Sequence, residues 1–103
     1  MLAEFAVLPI HQDHFSSSIA TALNEVKQCH VQFTLGPMGT SLEGTSDQVF
    51  LALRKCYEKL AKLEGRIVMT ITLDSRKTNP TSLSEMINSV EDRLVSNSKN
   101  RGL

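Results

Sequence analysis

The clearest pattern in the chain runs from Arg66 to Asp74, where Ile67, Met69, Ile71 and Leu73 alternate with Arg66, Val68, Thr70, Thr72 and Asp74. A period of two with one apolar side predicts a strand that lies with one face on a core. Near the start, Ala3, Phe5 and Val7 alternate with Glu4, Ala6 and Leu8 until Pro9 stops the run. Few polar side chains stand on either face, which suits a central strand. Val31, Phe33 and Leu35 alternate with Gln32 and Thr34, meet Gly36-Pro37-Met38-Gly39, and are followed by a short β-compatible run, Thr40 to Glu43, closed by Gly44. That is strand, tight turn, strand.

Between these runs the period changes to that of a helix. Ser16-Ser17-Ser18 offers N-cap hydroxyls, and Ile19, Ala22, Leu23 and Val26 follow at helical spacing to an end near Gln28, with His30 entering the next strand. Thr45-Ser46-Asp47-Gln48 is a capping-box start for a second helix with Val49, Leu53, Cys56, Leu60 and Leu63 on one face and Gly65 as its stop. Ser82-Leu83-Ser84-Glu85 opens a third, with Leu83, Met86, Ile87, Val90 and Leu94 as its inner face. The expectation is one domain over residues 1–96 and a polar tail over 97–103.

The order is βαββαβ with one helix added, an α+β, ferredoxin-like pattern with a four-stranded antiparallel sheet. Right-handed crossovers put the first two helices on one face. The other face then carries Gln32, Thr34, Ser41, Glu43, Thr70 and Thr72 beside Glu4, Ala6 and Leu8. It is too apolar in its middle for open water and too polar for a core, the character of a face that pairs with another subunit or holds a small polar ligand.

Composition narrows the classes. With 103 residues and 41% hydrophobic content there is chain for one modest core. Eleven basic residues balance eleven acidic ones, leaving no field to attract nucleic acid or an anionic membrane. Met1 to Ile10 lacks the shape of a signal peptide, and no apolar run reaches membrane-spanning length. Cys29 and Cys56 lack CxxC spacing, which predicts reduced thiols and a cytoplasmic protein. Gly39-x4-Gly44-Thr45-Ser46 has P-loop spacing, but Thr45 stands where the phosphate-binding Lys belongs and Glu43 adds the wrong charge. His11 and His14, with Asp13 between, lack a third and fourth ligand for a metal.

Several of these pieces together resemble the small thiamine-binding proteins related to YkoF. They are Leu8-Pro9-Ile10, Ser16 at the first helix, Pro37-Met38-Gly39-Thr40 running to Glu43-Gly44, and the Thr-rich strand between Arg66 and Arg76. The resemblance spans roughly residues 3 to 95, and Met-Gly-Thr-x-x-Glu-Gly is its most specific part. It implies a ferredoxin-like domain that binds thiamine or its hydroxymethylpyrimidine half without turning it over, needs no cofactor, and pairs sheets into a dimer of dimers. The ligand-side positions it implies are Glu43, Thr40 and Thr34 with the strand-four threonines, Thr70 and Thr72, joined by Met38 and Ser16. The chain departs from the family pattern at His11, Tyr57 and Thr78.

Glu43 also has a case of its own. A carboxylate on a largely dry sheet face needs hydrogen-bond donors or a cation, and an aminopyrimidine N–H or a thiazolium supplies them. The structural alternative is an ion pair with Arg66 or Arg76, or a bond to backbone N–H. Among rival functions, an RNA-binding sheet wants stacking aromatics where this one has threonines, and an acylphosphatase wants an Arg in the first loop, which has none. Neither Cys29 nor Cys56 has a sequence-defined base and acid partner. An ACT-type domain binding an amino acid between subunits is the alternative of another class.

Overall fold

The computed structural model describes residues 1–8, 15–77 and 82–100. Its elements are β1 (Leu2–Leu8), α1 (Phe15–Lys27), β2 (Gln32–Leu35), β3 (Thr40–Glu43), α2 (Ser46–Leu63), β4 (Val68–Asp74) and α3 (Leu83–Asn100). The four strands form one antiparallel sheet in the order β2-β3-β1-β4, the ferredoxin-like arrangement. β1 is central, in keeping with its low polarity.

Register decides which side chains meet. Ala3 lies opposite Leu42 and Leu73, and Phe5 opposite Thr40 and Ile71. On that side Ala3, Phe5 and Leu42 pack with Ala22 and Val26 of α1 and with Val49, Ala52, Leu53, Cys56 and Leu60 of α2. Burying each large apolar side chain stabilises the fold by roughly 1.5–3 kcal/mol. α2 starts as its sequence predicts: the Thr45 hydroxyl accepts from Gln48 N–H at 3.2 Å, and the Gln48 side chain accepts from Thr45 N–H at 2.9 Å. Thr40 to Glu43 is a strand paired on both sides, so no phosphate-cradling loop forms there.

Some details differ from the sequence expectations, each for a local reason. α1 begins at Phe15, which places Ser16 to Ser18 inside its first turn instead of at the cap. Ser18 is buried and its hydroxyl donates to Glu64 Oε1 at 2.6 Å, tying α1 to the C-cap of α2. His30 does not enter a strand. Gln28 and Cys29 N–H bond back to Glu25 and Val26 carbonyls at 3.2 and 3.0 Å, and His30 then takes a left-handed φ of 56° to redirect the chain. Leu63 is exposed because the last turn of α2 outruns the core, and Ala52, overlooked in the pattern, is buried.

The largest difference is α3. Its expected inner face is mostly uncovered, with Met86, Ile87, Val90 and Leu94 exposed and Leu83 half-buried. The helix meets the sheet at its first turn, on the side away from α1 and α2, and continues to Asn100, into the stretch expected to be a tail. Its capping box forms as read, with Glu85 N–H to Ser82 Oγ at 3.1 Å and Ser82 N–H to Glu85 Oε2 at 3.4 Å.

Both cysteines are free thiols, Cys56 buried and Cys29 half-buried with its Sγ donating to Glu25 O at 3.3 Å. Burial pushes the Cys56 thiol from its ordinary 9.0 up to about 11. In that window the unfolded chain has released a proton that the folded chain keeps. Stability is therefore intact below pH 9.0 and falls as pH rises toward about 11. A chromogenic disulfide reagent at neutral pH should register Cys29 promptly and Cys56 only after denaturant is added; equal rates would contradict the buried position.

Candidate functional site

The sheet face away from α1 and α2 can be read in rows from the strand register. One row holds Gln32, Glu43, Leu2 and Asp74; the next holds Thr34, Ser41, Glu4 and Thr72; a third holds Ala6 and Thr70. Three carboxylates thus stand in two neighbouring rows of a chain whose net charge is zero. Arg76 answers part of this charge, its guanidinium lying 3.4 Å from Asp74. That pair is exposed and contributes about 0–1 kcal/mol.

The first turn of α3 roofs part of these rows. Beneath it lies a cavity of about 150 Å³ lined by Leu2, Ala3, Glu4, Ser41, Thr72, Asp74, Leu83 and Met86. Glu43 sits beside it, and its Oε2 accepts from Leu83 N–H at 3.5 Å, a long bond. A carboxylate at that place also faces the positive end of the α3 dipole. Glu43 therefore has a backbone partner from an element 40 residues away, and Arg76 goes to Asp74.

Six of the positions singled out in the sequence fall in three places. Glu43 and Thr34 occupy neighbouring strands one row apart on the same face. Thr70 shares the face but lies two strands and two rows from Glu43, roughly 10 Å across and 13 Å along the sheet. Thr40 is on the α1/α2 side, only 4% exposed, and with Met38 at the hairpin tip it lines a separate cavity of about 160 Å³ that includes Phe5, Ile19 and Leu35. Ser16 is exposed on the first turn of α1. Thr72, the other strand-four threonine, lies opposite Glu4 at the cavity. Glu4 was not singled out; the signal available for it was its parity with Glu43 on the adjoining strand.

Among the described residues, no group of three or more His, Cys, Asp or Glu side chains is placed to hold a metal, and no helix is long and apolar enough to cross a membrane. His11, Asp13 and His14 lie outside the described residues, as do Pro9, Ile10 and Thr78.

Comparison with known proteins gives a consistent picture. The chain is 26% identical over 96 residues to a UPF0045 protein of Methanothermobacter thermautotrophicus, covering 89% of this chain and 97% of the relative. A hypothetical protein of Methanocaldococcus jannaschii shares the fold with a TM-score of 0.78 at 21% identity, over 87% of this chain and 94% of the other. A Thermotoga maritima protein, described provisionally as one of thiamine biosynthesis or salvage, superposes with a TM-score of 0.75 at 18% identity, over 86% and 96% of the two chains. The family model described as "Thiamine-binding protein" matches residues 3–91, nearly all of the sheet and helices just described, and the chain belongs to that family.

Proposed function

We propose that the chain binds thiamine or its hydroxymethylpyrimidine half on the sheet face beneath α3, as a binding protein that leaves the ligand chemically unchanged. The observation that carries this reading is the set of carboxylates Glu43, Glu4 and Asp74 grouped at a cavity in a chain of the thiamine-binding family. A thiazolium cation complements negative charge, and the aminopyrimidine offers N–H donors to a carboxylate or to Ser41 and Thr72. The description of the Thermotoga maritima protein points to the same chemistry. At about 150 Å³ the cavity is smaller than the ~300–1,000 Å³ usual for ligand pockets, so it suits one ring, with the rest of the ligand across the two rows toward Glu43 and Thr34. Thr70 borders that face at a distance; Thr40 is buried on the α1/α2 side, Met38 is at the exposed hairpin tip and Ser16 is on α1, so in this reading none of the three lines the cavity beneath α3.

Calorimetric titration with thiamine and with hydroxymethylpyrimidine tests the reading, using the wild type and Glu43→Gln. Glutamine keeps an acceptor oxygen for Leu83 N–H, so the α3 contact survives while the charge goes. Thiamine affinity should fall roughly 10- to 100-fold, about 1.5–3 kcal/mol, with little change in melting temperature. No heat with either ligand, or unchanged affinity together with a large drop in melting temperature, would remove Glu43 from the site and leave it a helix-capping carboxylate. An amino-acid panel run alongside should give no heat; a response there would favour the ACT-type function instead.

A further inference from the structure

α3 is joined to the rest of the chain in a different way from α2. α2 sinks Val49, Ala52, Leu53, Cys56 and Leu60 into the core. No described apolar residue of α3 belongs to that core or packs against it. Along its apolar stripe the exposure climbs from 41% at Met86 to 60% at Leu94, so what burial there is lies at the first turn. Among the described residues one hydrogen bond ties the helix to the sheet, from Leu83 N–H to Glu43 Oε2 at 3.5 Å, long enough to be weak.

At that one contact the two surfaces do not close on each other. The cavity of about 150 Å³ separates them, with Leu83 and Met86 on the helix side and Glu4, Ser41, Thr72 and Asp74 on the sheet side. Side chains that line such a space forgo the dispersion contacts that closed packing would give them. The helix is therefore docked by one long hydrogen bond and two partly covered side chains.

We infer that α3 is a flap, latched at Glu43 and clamped by the ligand, so that occupancy of the cavity sets how firmly the helix is docked. This rests on the ligand reading above. A ring in the cavity touches the sheet and the first turn of α3 at once, and supplies the contacts that helix and sheet do not make with each other. It binds the docked form better than the open one, and by reciprocity docking tightens by the same factor as the affinity. Glu43 has an oxygen for each task, since Oε2 takes Leu83 N–H and Oε1 remains for a donor on the ligand, so binding does not require the latch to break. The bare stripe from Ile87 to Leu94 moves with the flap, and its presentation follows the ligand.

Amide hydrogen exchange on the full chain tests this, because an undocked helix of 18 residues is marginal in water and frays. In the free protein α3 should exchange far faster than α2, and saturating thiamine should slow it roughly tenfold. Without ligand, Glu43→Ala should speed α3 roughly three- to tenfold, while Glu43→Gln, which keeps an acceptor oxygen, stays within about twofold; slow exchange in α2 shows that both variants are folded. Exchange in α3 as slow as in α2, or no response to Glu43→Ala in a folded protein, would overturn the flap. Calorimetric heat from thiamine without slower α3 exchange would overturn the clamp and leave the ligand reading standing, whereas no heat from thiamine or hydroxymethylpyrimidine would overturn both. Should Glu43→Ala fail to fold, the wild-type comparison with and without thiamine decides alone.

Discussion

Replacing Leu42 by alanine should destabilise the protein by about 2–5 kcal/mol, a large share of the roughly 5–15 kcal/mol that holds a domain of this size together. Leu42 is fully buried on β3, opposite Ala3 on one side and Phe33 on the other, and faces the helices. Its strand is hydrogen-bonded on both flanks, and its neighbour Ala3 is too small to swing into a gap. The vacated volume therefore stays largely empty, which puts the cost in the upper part of that range. Urea unfolding would read it as a lower midpoint at unchanged slope. Leu35→Ala, at a leucine 65% exposed on the neighbouring strand, should cost only about 0.5 kcal/mol. Equal losses at the two positions would mean that the core is not centred on Leu42.

What the sequence could reveal depended on the range of the interaction. Alternation is a property of one strand, so the side of the sheet taken by Glu43, Thr34, Thr70 and Thr72 was legible from the period alone. Their distances were not. Thr70 and Glu43 share a face, yet β1 separates their strands, and position along each strand follows from a register that parity does not determine. The caps of α2 and α3 were legible because donor and acceptor lie three residues apart. Which partner Glu43 takes was not: the sequence left Arg66, Arg76 and a backbone N–H all open, and the N–H that reaches it, that of Leu83, comes from 40 residues away. For α3, amphipathic spacing announced an apolar stripe but not what would cover it. Most of that stripe is bare in the single chain.

In the motif that carries the family resemblance, Met38-Gly39-Thr40 to Glu43-Gly44, the two glycines are set by packing. Gly44 sits under the α2 capping box, where a Cβ would come within 2.9 Å of Gln48 Oε1. Gly39 is held more firmly. A Cβ there would lie 2.8 Å from the carbonyl oxygen of Phe5, and that oxygen belongs to the backbone of the central strand and cannot rotate away. The next residue, Thr40, pairs directly with Phe5, and Gly36 N–H closes the hairpin onto Gly39 O at 2.8 Å. Relief of the clash must therefore come from moving β3 off β1 or opening the turn. Gly39→Val should cost about 3 kcal/mol, the upper end of what overpacking usually costs, because the obstacle is main chain and the branched side chain adds bulk beside Glu4. Amide hydrogen exchange would locate the loss, with protection falling first at Thr40 and Phe5 and least in α2. Thermal melting would size it. A Gly39→Val protein with wild-type melting temperature and intact protection at Thr40 would show that the turn can shift freely and that packing against Phe5 does not require this glycine.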